Sequence, residues 1–93
     1  MDLQSLRIKI DKIDDAIVDL FQKRMDISGE VALYKIENNL PVFDPVREQQ
    51  KLQEISGKVH KGMEDYITAL YSLIFELSRS EQERIINSSQ EEQ

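Results

Sequence analysis

The sequence of 93 residues contains no cysteine and no tryptophan, and it has only three glycines and two prolines. Without cysteine there is no disulfide, no thiolate nucleophile and no cysteine-ligated metal. The glycines, at positions 29, 57 and 62, cannot form a phosphate-binding loop or a dinucleotide fingerprint. The single histidine, His60, stands in a glycine-flanked segment, and we interpret it as a solvated loop residue. An enzyme that depends on a metal or on a common cofactor is therefore not expected.

Long apolar runs are also missing, so no segment is predicted to cross a membrane. The first residues include Asp2, Arg7 and Lys9 and do not resemble a secretory signal. Twelve Lys and Arg residues against 18 Asp and Glu residues give a net charge of -6, which opposes binding to nucleic acid or anionic lipid. We predict a cytoplasmic protein with neither nucleic acid nor membrane as a partner.

The segment from Leu3 to about Asn38 has the pattern of one long helix. Apolar residues recur at steps of three and four from Leu3 to Leu20, and again at Ile27 and Val31, which is the spacing of a coiled-coil seam. Such a helix is about 50 Å long, which exceeds the width of a compact domain of this size. One chain cannot bury the whole seam, so we predict a homodimer in which the long helices pack together.

A second, shorter helix is predicted from Pro45 to about Ser56. Residues 38–41, Asn-Asn-Leu-Pro, end the first helix. Asp44 is a good N-cap, Pro45 suits the first helical position, and Gly57 suits the end of the helix.

The third helix is predicted to begin near Met63 and to reach at least Arg84. Its apolar stripe consists of Met63, Ile67, Leu70, Ile74 and Leu77, flanked by Tyr66 and Leu73. Residues 87–93 contain no apolar residue and are predicted to be a frayed tail after a domain of residues 1–86. The predicted fold class is all-α, with one long, one short and one medium helix in each chain of the dimer.

Two cations interrupt the seam of the first helix. Arg24 occupies a seam position before Ile27, and Lys35 follows eleven residues later, about three turns along the same side. Charges on a buried stripe require partners, which suggests that this stripe binds anions. The alternative is that both long side chains extend to solvent.

Polar groups also share faces on the other two helices. The second helix begins with Asp44, Arg47 and Glu48 at i, i+3 and i+4. These three residues form either an ion pair within the helix or part of a polar site. The third helix carries a line that changes from apolar to polar, made of Phe75, Ser78 and Gln82. This line either reaches the surface or contributes to the same site.

Arg7 lies seventeen residues before Arg24, which is about 25 Å along the helix and about 100° around it. It cannot serve the pocket of Arg24 within one chain, but in an antiparallel helix dimer it can reach the pocket of the other subunit. The combined set of cations, uncharged donors and one or two acids suits a small dianion, such as a dicarboxylate with a hydroxyl group. Without a nucleophile–base pair or a metal set, any chemistry there depends on positioning and electrostatics.

The chain resembles the all-α class of chorismate mutases, which are small intertwined helical dimers. The resemblance covers residues 3–82 and combines several short matches in order. These are Leu6-Arg7, Ile10, Ile13-Asp14, Arg24, Val31 to Lys35, Pro41 to Asp44, Arg47-Glu48, Tyr66-Ile67, Ser78 and Gln82. The resemblance implies conversion of chorismate to prephenate, a Claisen rearrangement in phenylalanine and tyrosine biosynthesis, with no cofactor, no metal and no covalent intermediate.

The resemblance also implies roles for individual residues. Arg24 and Arg7 of the partner subunit would hold the substrate carboxylates with help from Ser78, since guanidinium groups suit carboxylates. Lys35 and Gln82 would donate hydrogen bonds to the ether oxygen. Glu48 would accept a hydrogen bond from the ring hydroxyl, with the backbone of Asp44 nearby. Arg47 would line the site and help to order Asp44 and Glu48. Val31 and Phe75 would form apolar walls.

Two alternatives stay open from the sequence. An isochorismate pyruvate lyase has the same fold and much of the same pocket, although Glu48 and Ser78 favour the mutase. A non-catalytic helical dimer would use the basic residues as a structural network, and substitution of Arg24 would then change stability alone.

Overall fold

A computed structural model describes residues 2–91 and contains three α-helices. They are α1 (Leu3–Asn38), α2 (Pro45–Ser56) and α3 (Glu64–Glu91). The all-α class and the bounds predicted for the first two helices are confirmed. The third helix, predicted to begin near Met63 and to reach at least Arg84, extends from Glu64 to Glu91. Residues 92 and 93 of the predicted tail lie outside the described range.

A backbone cap and a side-chain cap define the two ends of the segment that joins α1 to α2. Asn39 ends α1 in the left-handed region, with φ of 52°, and the N–H of Leu40 donates to the carbonyl of Lys35 at 2.9 Å. Asp44 caps α2 by accepting from the N–H of Arg47 at 3.0 Å, and Pro45 follows at the first helical position. These caps fix where α2 begins relative to the end of α1.

A short connection joins α2 to α3. Gly57 ends α2, as predicted, and Gly62 adopts a φ of 95°, which suits glycine and permits the turn into α3. His60 is exposed in this connection, which confirms the interpretation of a solvated loop residue.

α3 packs against both other helices, and the centre of this packing is partly polar. The buried apolar residues are Ala32, Ile55 and Phe75, and the buried polar residues are Ser28, Ser78 and Gln82. Within the chain, the seam residue Ile27 is 58% exposed, whereas its neighbour Ser28 is buried against α3. The reason is that α3 contacts α1 one residue further around the helix than the apolar seam.

Much of the apolar surface is not covered within the chain, whose dimensions are 59 × 27 × 14 Å. The exposed residues of the α1 seam are Leu3, Leu6, Ile10, Ile13, Ile17, Leu20, Ile27 and Val31. Met63, Leu70 and Leu77 of the stripe predicted on α3 are exposed as well. No helix in residues 2–91 combines the length and the apolar character needed to cross a membrane.

Candidate active site

A cavity of about 570 Å³ lies between the C-terminal half of α1, the start of α2 and the middle of α3. Its volume falls in the range of small-molecule sites. Nine of the ten predicted site residues line it, namely Arg24, Val31, Lys35, Asp44, Arg47, Glu48, Phe75, Ser78 and Gln82. The tenth, Arg7, is exposed near the beginning of α1 and does not line this cavity.

The cavity concentrates positive charge in an acidic protein. Its basic lining residues are Lys23, Arg24, Lys35, Arg47, Lys51 and Arg79, and its acidic ones are Asp44 and Glu48. These six cations are half of the 12 Lys and Arg residues in a chain whose net charge is -6. Such clustering attracts anions and raises the rate at which they arrive.

The two cations that interrupt the α1 seam have no anionic partner in the part of the chain that is described. No salt bridge among residues 2–91 includes Arg24 or Lys35. The guanidinium carbon of Arg24 lies 6.0 Å from the ring centre of Tyr71 and 5.7 Å from that of Phe75. These rings support the guanidinium group without neutralising it, so its charge is available to a ligand.

A chain of hydrogen bonds connects α1 to α3 at the centre of the cavity wall. The ammonium group of Lys35 donates to Oε1 of Gln82 at 3.0 Å and to the carbonyl of Val42 at 2.7 Å. Nε2 of Gln82 donates to Oγ of Ser28 at 3.1 Å, and the hydroxyls of Ser28 and Ser78 are hydrogen-bonded to each other. Because an ammonium group and an amide nitrogen each carry more N–H groups than these bonds use, Lys35 and Gln82 each retain a donor.

The charged side chains at the start of α2 do not pair with one another. The carboxylate of Asp44 caps the helix, and in the described residues the side chain of Arg47 forms no salt bridge. Glu48 instead pairs with Arg79 of α3, whose Nη1 lies 2.6 Å from Oε1 and 2.5 Å from Oε2 of Glu48. The alternative of an ion pair within α2 is therefore wrong, because Asp44 accepts from the backbone N–H of Arg47 and not from its side chain, and Glu48 pairs with Arg79. Arg79, and not Arg47, is the residue that orders Glu48 here.

Apolar side chains close the remaining wall of the cavity. Phe75 is 7% exposed, and its ring packs edge-on against Tyr71 with ring centres 6.0 Å apart. Val31 lines the cavity from α1. A ligand in the cavity would thus contact apolar surface as well as cations.

The family model for chorismate mutase type II matches residues 6–83. This chain belongs to that family. The match contains Arg7 and every residue that lines the cavity.

Relatives with this domain are considerably longer than the chain. A bifunctional chorismate mutase/prephenate dehydratase from Buchnera aphidicola is 39% identical over 88 residues, which are 92% of this chain and 23% of that protein. The protein of the same name from Escherichia coli is 34% identical over 86 residues, which are 90% of this chain and 22% of that protein. The chain therefore spans less than a quarter of the length of these curated relatives.

A solved structure matches this chorismate mutase domain over nearly its whole length. The crystal structure of chorismate mutase from Helicobacter pylori in complex with prephenate has a TM-score of 0.81 and 34% sequence identity. The match covers 91% of this chain and 93% of the other. At this identity and coverage, the resemblance supports the family assignment as well as the fold.

Sequence reasoning missed Ser28 and Arg79 of the cavity wall. A seam that runs from Arg24 to Val31 in steps of three and then four passes through Ile27. A seam with steps of four and then three passes through Ser28 and would have found it. Arg79 follows Phe75 by four residues and therefore shares its side of α3. A charged residue next to the line of Phe75, Ser78 and Gln82 was the available signal.

Proposed function

We propose that this domain converts chorismate to prephenate in the cavity between its helices. The observation that carries the proposal is that a strongly basic cavity is lined by two cations without anionic partners, Arg24 and Lys35, and that Lys35 is hydrogen-bonded to the buried amide of Gln82. Family membership supplies the substrate and the reaction. A dicarboxylate such as chorismate fits the excess of cations over acids in the lining.

The side chains that line the cavity supply the groups that the rearrangement of chorismate needs. In the Claisen rearrangement the C–O bond of the ether bridge breaks while a new C–C bond forms within the same molecule, so no atom is gained or lost. Negative charge grows on the ether oxygen as its bond breaks. The remaining donors of Lys35 and Gln82 would meet this oxygen, and interactions that strengthen in the transition state raise the rate.

The other lining residues would bind and fold the substrate. Arg24 and Ser78 would hold one carboxylate, and Glu48 would accept a hydrogen bond from the ring hydroxyl. Val31 and Phe75 would press the side chain of the substrate over its ring. Holding the two reacting carbons together in this way removes an entropic cost from the barrier.

The proposed active form is a homodimer to which each subunit contributes Arg7. The apolar seam of α1 is exposed along its first two thirds, with Ile13 58% and Leu20 62% exposed. Such a long uncovered seam is typical of a helix that packs against another copy. Arg7 projects from this part of α1, and Arg7 of the partner subunit would supply the second carboxylate contact.

Location and domain bounds follow from composition and pattern alone. The cytoplasmic location and a domain of residues 1–86 remain predictions. The family match over residues 6–83 lies inside these bounds.

The proposal is tested by mixing the purified chain with chorismate and following its disappearance. The product is identified by its mass and by conversion to phenylpyruvate in acid. Prephenate is the expected product, and Arg24→Ala and Lys35→Ala are expected to lose turnover by about 100-fold or more while keeping their helical circular dichroism. Lys58→Ala is the matched control, because Lys58 is exposed and pairs only with Glu54 among the described residues.

A folded chain without turnover of chorismate would contradict the proposal. The same preparation is then mixed with isochorismate, and release of pyruvate would identify the lyase. Inactivity towards both substrates would favour a non-catalytic helical dimer.

A further inference from the structure

The ion pair between Arg79 and Glu48 differs from every other salt bridge in the described part of the chain. The others join residues three or four positions apart, whereas this pair connects α3 to α2 across 31 positions. Both side chains are partly buried in the cavity wall, with exposed fractions of 30% for Arg79 and 22% for Glu48. The pair is therefore a feature of the site and not of a single helix surface.

A second contact fixes the guanidinium group of Arg79. Its central carbon lies 5.1 Å from the ring centre of Phe43, in the segment between α1 and α2. Arg79 is thus held between an aromatic ring and a carboxylate, a geometry that favours Arg over Lys.

The position of this pair has an electrostatic consequence. Glu48 is one of two acids in a cavity that suits a dianion, and an uncompensated carboxylate there would repel such a ligand. Arg79 offsets this charge. One Nη1 contacts both carboxylate oxygens, so each oxygen keeps a lone pair with which to accept a hydroxyl hydrogen.

We propose that Arg79 is a positioning residue that neutralises and orients Glu48, so that Glu48 can accept the substrate hydroxyl without repelling the two carboxylates. This inference rests on the proposed mutase function. Arg79 itself acts through Glu48 and makes no contact with the reacting atoms. The effects of the two residues on substrate binding should be coupled with a definite sign. Removal of the Glu48 charge should restore the binding that is lost when the Arg79 charge is removed.

The test is a double-mutant cycle with Arg79→Gln, Glu48→Gln and the double variant, assayed with chorismate at low ionic strength. Glutamine at position 48 keeps an acceptor for the hydroxyl but carries no charge. Arg79→Gln is expected to raise KM about tenfold, and addition of Glu48→Gln is expected to return KM to within about threefold of the wild-type value. Arg79→Lys, which keeps the charge but loses the planar group, is expected to fall between Arg79→Gln and wild type.

The matched control is the pair of Arg84 and Glu81 on the same helix. Arg84 Nη2 lies 2.5 Å from Oε1 of Glu81, and neither residue lines the cavity. Arg84→Gln and the double variant with Glu81→Gln make the same charge changes, and KM is expected to stay within about twofold of wild type. Circular dichroism melting of each variant separates loss of fold from loss of binding.

Three results would overturn the inference. In an active wild-type background, an unchanged KM in Arg79→Gln would overturn it, as would a folded double variant no better than Arg79→Gln. Either result would leave the mutase function intact. An inactive wild type would overturn the proposed function and this inference with it.

Discussion

The ammonium group of Lys35 lies 3.0 Å from Oε1 of Gln82 and determines which end of that amide faces Ser28. An ammonium group only donates, so the amide oxygen must face Lys35 and the nitrogen must lie on the other side. Nε2 of Gln82 accordingly donates to Oγ of Ser28. The orientation of this buried donor is thus set by residues of α1.

Replacement of Gln82 by glutamate should make activity depend on acid. A carboxylate accepts from Lys35 as the amide does, but it can donate to an ether oxygen only when protonated. We expect kcat/KM of Gln82→Glu to fall by about 100-fold at neutral pH and to recover as the pH falls. Wild type and Gln53→Glu, an exposed control on α2, should show no such recovery in the same pH–rate series. A pH-independent loss in Gln82→Glu would contradict the donor role.

Removal of the Ser28 hydroxyl should damage both stability and turnover. Ser28 is 5% exposed and accepts the bond from Gln82, so Ser28→Ala leaves a buried N–H without its partner. The free energy of unfolding should fall by about 1–3 kcal/mol, as measured by urea titration. We also expect kcat to fall several-fold, because Gln82 is less restrained. Ser56→Ala, at a surface hydroxyl that donates to the carbonyl of Gln53, is the control, and equal effects of the two variants would contradict the prediction.

The helices and the convergence of most site residues could be predicted because both follow from local spacing. Arg24 and Lys35 are eleven residues apart, so any straight helix places them on one side. Ser28 could not be chosen over Ile27 in this way, because steps of three and four are equally compatible with a seam. The packing of α3 decides between them, and it turns Ser28 inward while Ile27 faces away from the core of the chain.

The partner of Glu48 is another feature that depends on tertiary structure. Within α2, Arg47 is adjacent in sequence, whereas Arg79 is 31 residues away. The cap formed by Asp44 and the direction of α3 bring Arg79 to the carboxylate. Local charge spacing cannot predict such a contact, since surface ion pairs are weak enough for tertiary geometry to override them.

A methyl group at position 29 should stabilise the chain. Gly29 lies inside α1, where glycine costs about 1 kcal/mol relative to alanine. An added Cβ would lie 3.3 Å from Cδ1 of Ile85, which is the end of a flexible side chain and can move by a few tenths of an ångström. We expect Gly29→Ala to raise the free energy of unfolding by about 0.5 kcal/mol in urea titration. A decrease in the free energy of unfolding would mean that the side chain of Ile85 cannot move away from the added methyl group.

Acid should weaken the fold partly through the cap of α1. The backbone N–H of Ser5 lowers the pKa of the Asp2 carboxyl below its ordinary value. A carboxyl group whose pKa is lower in the folded state stabilises above its unfolded pKa, and this contribution is lost as the pH falls through the folded value. Asp2→Asn keeps an acceptor for Ser5 but cannot titrate, so its unfolding free energy should depend less steeply on pH below about 4. Urea titrations across that range measure the slope, and identical slopes for wild type and variant would contradict the prediction.

The proposed sharing of each cavity between two subunits makes a quantitative prediction for mixed dimers. Arg7→Ala and Arg24→Ala should each be inactive as homodimers, because every cavity lacks one carboxylate contact. In a mixed dimer, the cavity of the Arg7→Ala chain keeps its own Arg24 and receives Arg7 of the partner subunit, so it is complete. The second cavity of that dimer lacks both groups. Equal amounts of the two variants, unfolded and refolded together, should therefore recover about a quarter of wild-type activity, since half the dimers are mixed and half their cavities are complete.

The same variants refolded separately and then assayed together at once provide the control. If the co-refolded sample has no more activity than this control, the two arginines do not act across subunits.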